Sequence, residues 1–295
     1  MALYSQRLTA HLQQFEQQFP TYFPCEGTRQ DTVIQAMRYA CEGGGKRLRP
    51  VLVMEFCRLC SSETTRALPF AAAIEMIHSY SLVHDDLPCM DNSPLRRGKP
   101  SVHVAYGEDM ALLTGDALLN AAFETMLQPH DGVSAQATVT AAGILADYAG
   151  IGGMIGGQVI DLQSENRTID IDTLRDLQEK KTVALIKAAC RMGCAVGGAT
   201  EAQMAAADRY GEHIGAAFQM IDDILDVTST PEQLGKPVGS DAENHKNTYV
   251  SLLGLAAARE LAASHTAKAI EALSVFGEEG NDLAALAQAL LQRVQ

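Results

Sequence analysis

Apolar positions recur at helical spacing along almost the whole chain, and strand-like alternation is nearly absent. The pattern predicts helices over Leu68 to Val83, Asp109 to Gln128, Ala135 to Asp161, Asp172 to Val196, Glu201 to Val227 and Asn247 to Phe276. Ala, Leu and Met dominate these runs, and all three are good helix formers. Several are apolar nearly all round, which marks central helices of a large bundle. Breakers separate them: "CEGGGKRLRP", "LPCMDNSPLRRGKP" and "TSTPEQLGKPVGSD". No repeat, low-complexity linker or shift in composition divides the chain. A single all-α domain over residues 1–295 is expected.

With 47% hydrophobic residues, the chain can bury a sizeable core. The 36 acids against 23 bases leave a net charge of -13, which argues against nucleic acid or an anionic membrane as partner. The opening stretch "MALYSQRLTAHLQQFEQQFP" has no apolar run of signal-peptide or membrane-span length, so a cytoplasmic protein is expected. Seven cysteines are an odd number, and Cys57-x-x-Cys60 has no second pair or nearby His to complete a zinc site. They read as reduced, buried thiols. The glycines of "AGIGGMIGGQVIDL" lack the order and the preceding strand of a dinucleotide-binding turn. Small residues here favour close helix–helix approach, and Gln158 and Asp161 beyond them could face a central cavity.

Two acidic clusters stand out. In "FQMIDDILDVTST", Asp222 and Asp226 are i, i+4 and Asp223 and Asp226 are i, i+3, so the carboxylates form one patch bordering apolar residues. Alone, such a stripe could equally be a solvated face. A second cluster, Asp85, Asp86 and Asp91, changes the balance. Six residues on a continuous helix turn by about 240°, so Asp91 can return to Asp85 only if the chain bends. Pro88 supplies a break between them. Carboxylates crowded beside apolar surface repel unless a cation binds them, and oxygen ligands without His or Cys suit a hard ion such as Mg²⁺. Magnesium held by a few carboxylates keeps waters and binds phosphates. Bases lie next to the acids: Lys46, Arg47 and Arg49 in "GGGKRLRP", Arg96 and Arg97 in "LRRGKP", Lys236 in "LGKP", and Lys181 with Thr182 in "KKTVALIKAA". The glycine loop is not a Walker A sequence, because no Lys-Ser/Thr follows its glycines. His78 lies seven residues before Asp85, on nearly the same helix face.

The ordered set "GGKRLRP", "DDLPCMD", "LRRGKP", "KT", "FQMIDD", "DDILD" and "GKPVGSD" resembles the trans-type (E-type) polyprenyl diphosphate synthases over nearly the whole chain. The lead-in "YSLVHDD" and the long first motif are most similar to the bacterial farnesyl diphosphate synthases of that family. The resemblance implies an isoprenoid-synthase helical bundle around a central cavity, a homodimer and three Mg²⁺ ions. It implies that Asp85, Asp91 and Asp222 ligate the metal, with Asp86, Asp223, Asp226 and Asp241 in support. Lys46, Arg49, His78 and Arg97 would hold isopentenyl diphosphate. Arg96, Lys181, Thr182, Gln219, Lys236 and Lys246 would hold the allylic diphosphate, with Arg96 and Lys181 joining the metal-binding acids in catalysis.

Asn92 and Ser93 stand where relatives often carry another acid, which implies a tuned site rather than a dead one. The implied chemistry is ionisation of the allylic diphosphate, attack by the isopentenyl double bond and loss of a proton. The resemblance also makes Tyr80 the floor that sets product length, with the small Ser81 leaving room, and so implies a fifteen-carbon product. A helical wheel alone puts Tyr80 about 140° from Asp85, so that role does not follow from spacing. The alternatives are a geranyl or geranylgeranyl diphosphate synthase, a class I terpene cyclase and a non-catalytic synthase subunit. A cyclase needs no second diphosphate site, and a non-catalytic subunit would be expected to lack an acidic motif. A calcium module fits worst, for want of EF-hand spacing.

Overall fold

The computed structural model describes residues 3–42, 44–61, 63–229 and 246–294, and these are helical almost throughout. The first five helices are α1 (Gln6–Gln18), α2 (Asp31–Glu42), α3 (Leu48–Cys60), α4 (Leu68–Asp85) and the short α5 (Val102–Tyr106). Five more carry the chain onward: α6 (Glu108–Leu127), α7 (Ala135–Ala149), α8 (Met154–Ser164), α9 (Ile171–Gln178) and α10 (Ala184–Gly197). The last four are α11 (Glu201–Thr228), α12 (Tyr249–Leu253), α13 (Leu255–Ala272) and α14 (Asn281–Leu291). Several helix starts are capped by side chains: Ser5, Ser134 and Asp170 each accept a bond from a first-turn amide, and Thr200 and Gln203 form a reciprocal capping box.

Helix α4 is the axis of the bundle. It is apolar all round because it is packed all round, against α3 and α6 and also against α2, α7 and α10. Phe70, Ile74, Met76 and Ile77 on it are fully buried. Each such side chain contributes roughly 1.5–3 kcal/mol by leaving water. Helix α10 packs on α3, α7 and α11, and α11 packs on α13.

The predicted helix over Ala135 to Asp161 is two helices. It stops at Ala149 and resumes at Met154, with Gly150, Gly152 and Gly153 in the turn between. Glycine inside a helix costs about 1 kcal/mol relative to alanine, and three in four residues tip the balance. Taken end to end, Ala135–Ser164 is long and apolar enough to cross a membrane, with mean hydropathy 1.3. Its second half instead lines cavities with Gln158 and Asp161. The predicted helix over Asp172 to Val196 contains a π-turn at Glu179–Val183, which separates α9 from α10. Asn247 to Phe276 is interrupted at Gly254, and its last residues, in Leu273–Gly280, are 3₁₀-helical.

Helices α1, α2, α3, α5 and α14 lie outside the predicted spans, α3 starting within the breaker "CEGGGKRLRP", and one small sheet was not anticipated either. "LRRGKP" is a small antiparallel hairpin, β1 (Leu95–Arg96) and β2 (Lys99–Pro100), with Leu95 opposite Pro100 and Arg96 opposite Lys99. Arg97 and Gly98 form its two-residue turn, both at positive φ, +54° and +77°. Such turns match the twist of the flanking strands. The cysteines are all free thiols. Cys41, Cys57, Cys190 and Cys194 are buried, Cys60 is half-buried, and Cys25 and Cys89 are exposed, so the expectation of burial holds for only part of the set.

Candidate active site

Helix α4 ends at Asp85, and the chain then folds back. The Leu87 amide donates to His84, and the Met90 and Asn92 amides donate to Leu87. The Asp91 amide donates to the Asp85 carbonyl at 2.9 Å. Asn92 takes φ +47°, a left-handed conformation that asparagine tolerates better than most residues. The bend inferred around Pro88 is therefore present, and it brings Asp91 back to Asp85.

Two cavities meet at this bend. One, of 420 Å³, is mainly apolar and runs between α4 and α8. Met154, Ile155, Val159, Leu162 and Leu185 form its greasy walls. Arg49, His78, Asp85, Lys181 and Thr182 are the polar side chains at its margin, and Tyr80 and Ser81 line it from α4. The other, of 480 Å³, is polar and contains Asp91, Asn92, Ser93, Arg96, Asp161 and Lys246. Met90 belongs to both. The boundary carries an ion pair, Lys181 Nζ to Asp161 Oδ2 at 2.5 Å.

Each cation is held by its own element. Arg49 follows Arg47, which takes φ +47° and is locked in place. The Arg47 guanidinium donates to Glu16, Glu75 and the Cys41 carbonyl, so it holds the loop together and is not available to a ligand. Arg49 differs: its Nε is buried with no partner among the described residues, and burial, opposed by Glu75 and reinforced by Arg97, lowers it to about 10. His78 sits beside it. Burial first, then Arg49, Arg97, Arg47 and Arg96, keep this imidazole far below its ordinary value and hence neutral. The Arg97 guanidinium reaches back to donate to the Gly44 carbonyl. Lys46 stands apart from these three, with Nζ 4.9 Å from the centre of the Phe218 ring.

Lys181 and Thr182 lie in the π-turn, a feature common at functional sites. Helix α8 approaches so closely there that a Cβ on Gly157 would lie 2.3 Å from the Lys181 backbone nitrogen. Close packing was the reading of these glycines, and it places the lysine. From Thr182 a chain of bonds runs across the bundle. Thr182 Oγ1 donates to Gln219 at 3.2 Å, Gln219 Nε2 donates to Asp223 at 2.9 Å, and Asp223 accepts the Tyr249 amide at 2.9 Å.

The description "Polyprenyl synthetase" matches residues 30–286. The chain belongs to the polyprenyl synthetase family. A farnesyl diphosphate synthase of Geobacillus stearothermophilus is 41% identical over 260 residues, 88% of each protein. A geranylgeranyl diphosphate synthase of Cyanophora paradoxa is 42% identical over 262 residues, 88% of this chain and 87% of that one. The crystal structure of an FPP/GFPP synthase from Zymomonas mobilis superposes with a TM-score of 0.85 at 37% identity and covers 97% of both chains. This polyprenyl synthetase is thus a trans-prenyltransferase with the all-α isoprenoid-synthase fold, of a family that uses isopentenyl and allylic diphosphates. The relatives' names divide between farnesyl and geranylgeranyl products, so family membership leaves chain length to particular residues.

Of the predicted metal ligands of this polyprenyl synthetase, Asp85 ends α4, Asp86 and Asp91 lie in the turn after it, and Asp222, Asp223 and Asp226 are on α11. Burial raises the Asp85 carboxyl to about 6, opposed by Lys181 and reinforced by Asp91. Asp86 is 2% exposed and paired with Arg96, whose Nε donates to it at 3.0 Å. Arg96 thereby stays charged against its burial. Asp222 faces the last turns of the chain, with Arg293 Nη1 3.8 Å away, while Asp223 and Asp226 are buried. Among the described residues, no three acids or imidazoles are gathered as a metal cluster. The donors still fit a hard divalent cation. They are all oxygens, and burial together with Asp91 raises the Asp85 carboxyl, a cost to its charged form that a bound cation would offset. Lys236 and Asp241 lie outside the described residues.

Sequence reasoning placed Asp161 and Gln158 towards a central cavity, which they line, but gave them no role in the site. Asp161 holds Lys181, and the Gln158 amide nitrogen is buried without a partner among the described residues. Their i, i+3 spacing within an apolar run was the available signal. Arg293 and the Tyr4 hydroxyl, which donates to the Lys46 carbonyl, gave none, because only folding brings the chain ends here.

Proposed function

We propose that this prenyltransferase condenses isopentenyl diphosphate with dimethylallyl or geranyl diphosphate to make (2E,6E)-farnesyl diphosphate. The observation that carries this reading is the position of Tyr80. It lines the apolar cavity together with Asp85, and its hydroxyl finds no partner among the described residues. A bulky ring set five residues before the acid limits how far a growing tail can run.

Asp85, Asp91 and Asp222 would hold the three magnesium ions, which when bound neutralise the charge that grows on the departing diphosphate. Asp86 and Asp223 support this indirectly, Asp86 by fixing Arg96 and Asp223 by fixing Gln219 and the Tyr249 amide. Asp226 belongs to the second acidic patch, and Asp241, which lies outside the described residues, would support the metal as well. Lys181, Thr182, Gln219, Arg96, Lys236 and Lys246 take the allylic diphosphate. Lys181 is charged for the task, because Asp161 and Asp85 outweigh the lowering effect of its burial. Arg49, His78, Arg97 and Lys46 take the isopentenyl diphosphate, and the neutral imidazole among guanidinium groups marks a place prepared for an anion. The apolar walls keep water from the allylic cation while the isopentenyl double bond attacks it. The proton then released passes to the departing diphosphate.

A second copy of the chain is the proposed partner. Leu112 and Leu113 on α6, 50% and 47% exposed, and Val139 on α7, 61% exposed, supply apolar surface outside the cavities for it to cover. The test of the product is direct: incubation with isopentenyl and dimethylallyl diphosphates, then chromatography of the dephosphorylated alcohols. Farnesol should dominate. Geranylgeraniol as the main alcohol would replace this reading with the geranylgeranyl one.

A further inference from the structure

Two thiols with no place in the prenyl-transfer site stand face to face on the far side of the bundle. Cys60 is the last residue of α3, and Cys194 lies in the last turn of α10. Their sulfurs are 3.7 Å apart. The two helices touch backbone to backbone here. A Cβ on Gly197 would lie 2.8 Å from the Cys60 Cβ, and one on Gly193 would lie 2.3 Å from the Val53 carbonyl oxygen. Glycines one position before and three after Cys194 therefore hold the helices at the short range a disulfide requires. A disulfide sulfur separation is about 2.05 Å, so the pair must close by about 1.7 Å, a shift that side-chain torsions can supply.

Access is ordered. Cys60 is half-buried and Cys194 is buried. The hydrogen bond with Cys194 lowers the Cys60 thiol, so the accessible sulfur is also the better nucleophile. Cys57 is engaged elsewhere, donating to the Glu63 carbonyl at 3.6 Å.

We propose that Cys60 and Cys194 form a reversible intramolecular disulfide, with a small-molecule disulfide as oxidant. The Cys60 thiolate attacks one sulfur of glutathione disulfide and releases one glutathione thiolate. Cys194 then attacks the Cys60 sulfur of the mixed disulfide and releases the second. Two protein thiols lose two electrons and two protons, and two glutathione thiols gain them. The bond closes a loop across 134 residues, so it restricts the unfolded chain strongly and raises thermal resistance. Arg49 heads α3, about 16 Å from Cys60, and Lys181 lies before α10, so turnover should change less than twofold.

The test uses the full chain with exposed Cys25 and Cys89 changed to Ser, equilibrated with glutathione disulfide, alkylated and mapped by mass spectrometry. The expected result is a linked pair of peptides containing Cys60 and Cys194, with no retained glutathione. The melting temperature should rise by several degrees and return with dithiothreitol. Cys194→Ser should trap glutathione on Cys60, and Cys194→Ala serves if that variant folds poorly. Stable glutathione on Cys60 with Cys194 still alkylated, linkage of Cys60 to Cys57, or no loss of thiols would each overturn the proposal.

Discussion

At the scale of single residues, the acids were legible because their spacing needs only local geometry, and the Asp85–Asp91 bend follows from one proline. Tyr80 was not legible in this way. A helical wheel turns it away from Asp85, yet the cavity wraps round α4 far enough to take in His78, Leu82 and Asp85 on one side and Tyr80 and His84 on the other. Burial raises the Tyr80 hydroxyl to about 12, with Asp85 adding to it, so the side chain meets any tail as a neutral, rigid wall. Tyr80→Ala should shift the main product from fifteen to twenty carbons or more, because it removes the ring and leaves a cavity. A stable, active variant with unchanged products would place the length limit elsewhere. The metal reading makes a separate prediction. Chelation should abolish turnover and Mg²⁺ restore it. Asp85→Asn or Asp222→Asn should each lower kcat by at least ~10²-fold, the scale of losing one charge-stabilising group. Turnover near wild type in both would remove the role given to these acids.

At the scale of elements, helical periodicity located the helices from α4 to α13 except the short α5, but not α1, α2, α3 or α14, and it missed the interruptions. The π-turn at Glu179–Val183 has no sequence mark of its own, since Lys181 and Thr182 fit a plain helix equally well. The hairpin of "LRRGKP" is too short for alternation to show, and its turn uses Arg-Gly where Asn-Gly would have announced it. These two departures are what present Arg96, Arg97, Lys181 and Thr182, so local regularity gives way where the candidate site needs side chains aimed. The glycine run shows the same division of labour. Gly157 faces the Lys181 backbone with no room for a methyl group, while a Cβ on Gly152 meets nothing within 4 Å. Gly157→Ala should therefore cost about 1–3 kcal/mol, the usual scale of overpacking. Because the displaced atoms belong to Lys181, it should also raise the KM for the allylic substrate more than that for isopentenyl diphosphate. Gly152→Ala should leave both stability and kinetics near wild type. Denaturant unfolding and steady-state kinetics of the two variants check this, and equal behaviour of the pair would count against the packing argument.

At the scale of the whole molecule, the sequence showed an all-α bundle but not which distant segments meet. Arg293 reaches Asp222, 71 positions earlier, and Tyr4 reaches Lys46, 42 positions later. The exposed leucines of α6 predict association: sedimentation of the purified protein should give twice the chain mass of 31.6 kDa, and Leu112→Glu should shift it towards one copy. A last consequence concerns acid. His213 on α11 and His265 on α13 stack edge to face, 5.2 Å between ring centres; each has a buried Nδ1 without a hydrogen-bond partner among the described residues, and Glu212 Oε1 lies 3.9 Å from that of His213. Burial lowers both below the usual value of 6.5. Lys268 and Lys187 add to the lowering of His213, as do Arg209 and, for His265, His213, Lys268 and Arg175, while Glu212 opposes it for both. A folded-state value below the unfolded one means that the unfolded chain binds more protons between the two. The pair's contribution is therefore fully present above pH 6.5 and is lost as pH falls from there through the folded values. Between pH 7.5 and pH 5 the melting temperature should drop, and the drop should be smaller in the double variant His213→Gln, His265→Gln. Neutral His78 has the same sign and remains in that variant, so a residual slope is expected. Scanning calorimetry at several pH values reads both slopes, and an unchanged slope in the double variant would show that the stacked imidazoles do not set the acid limit.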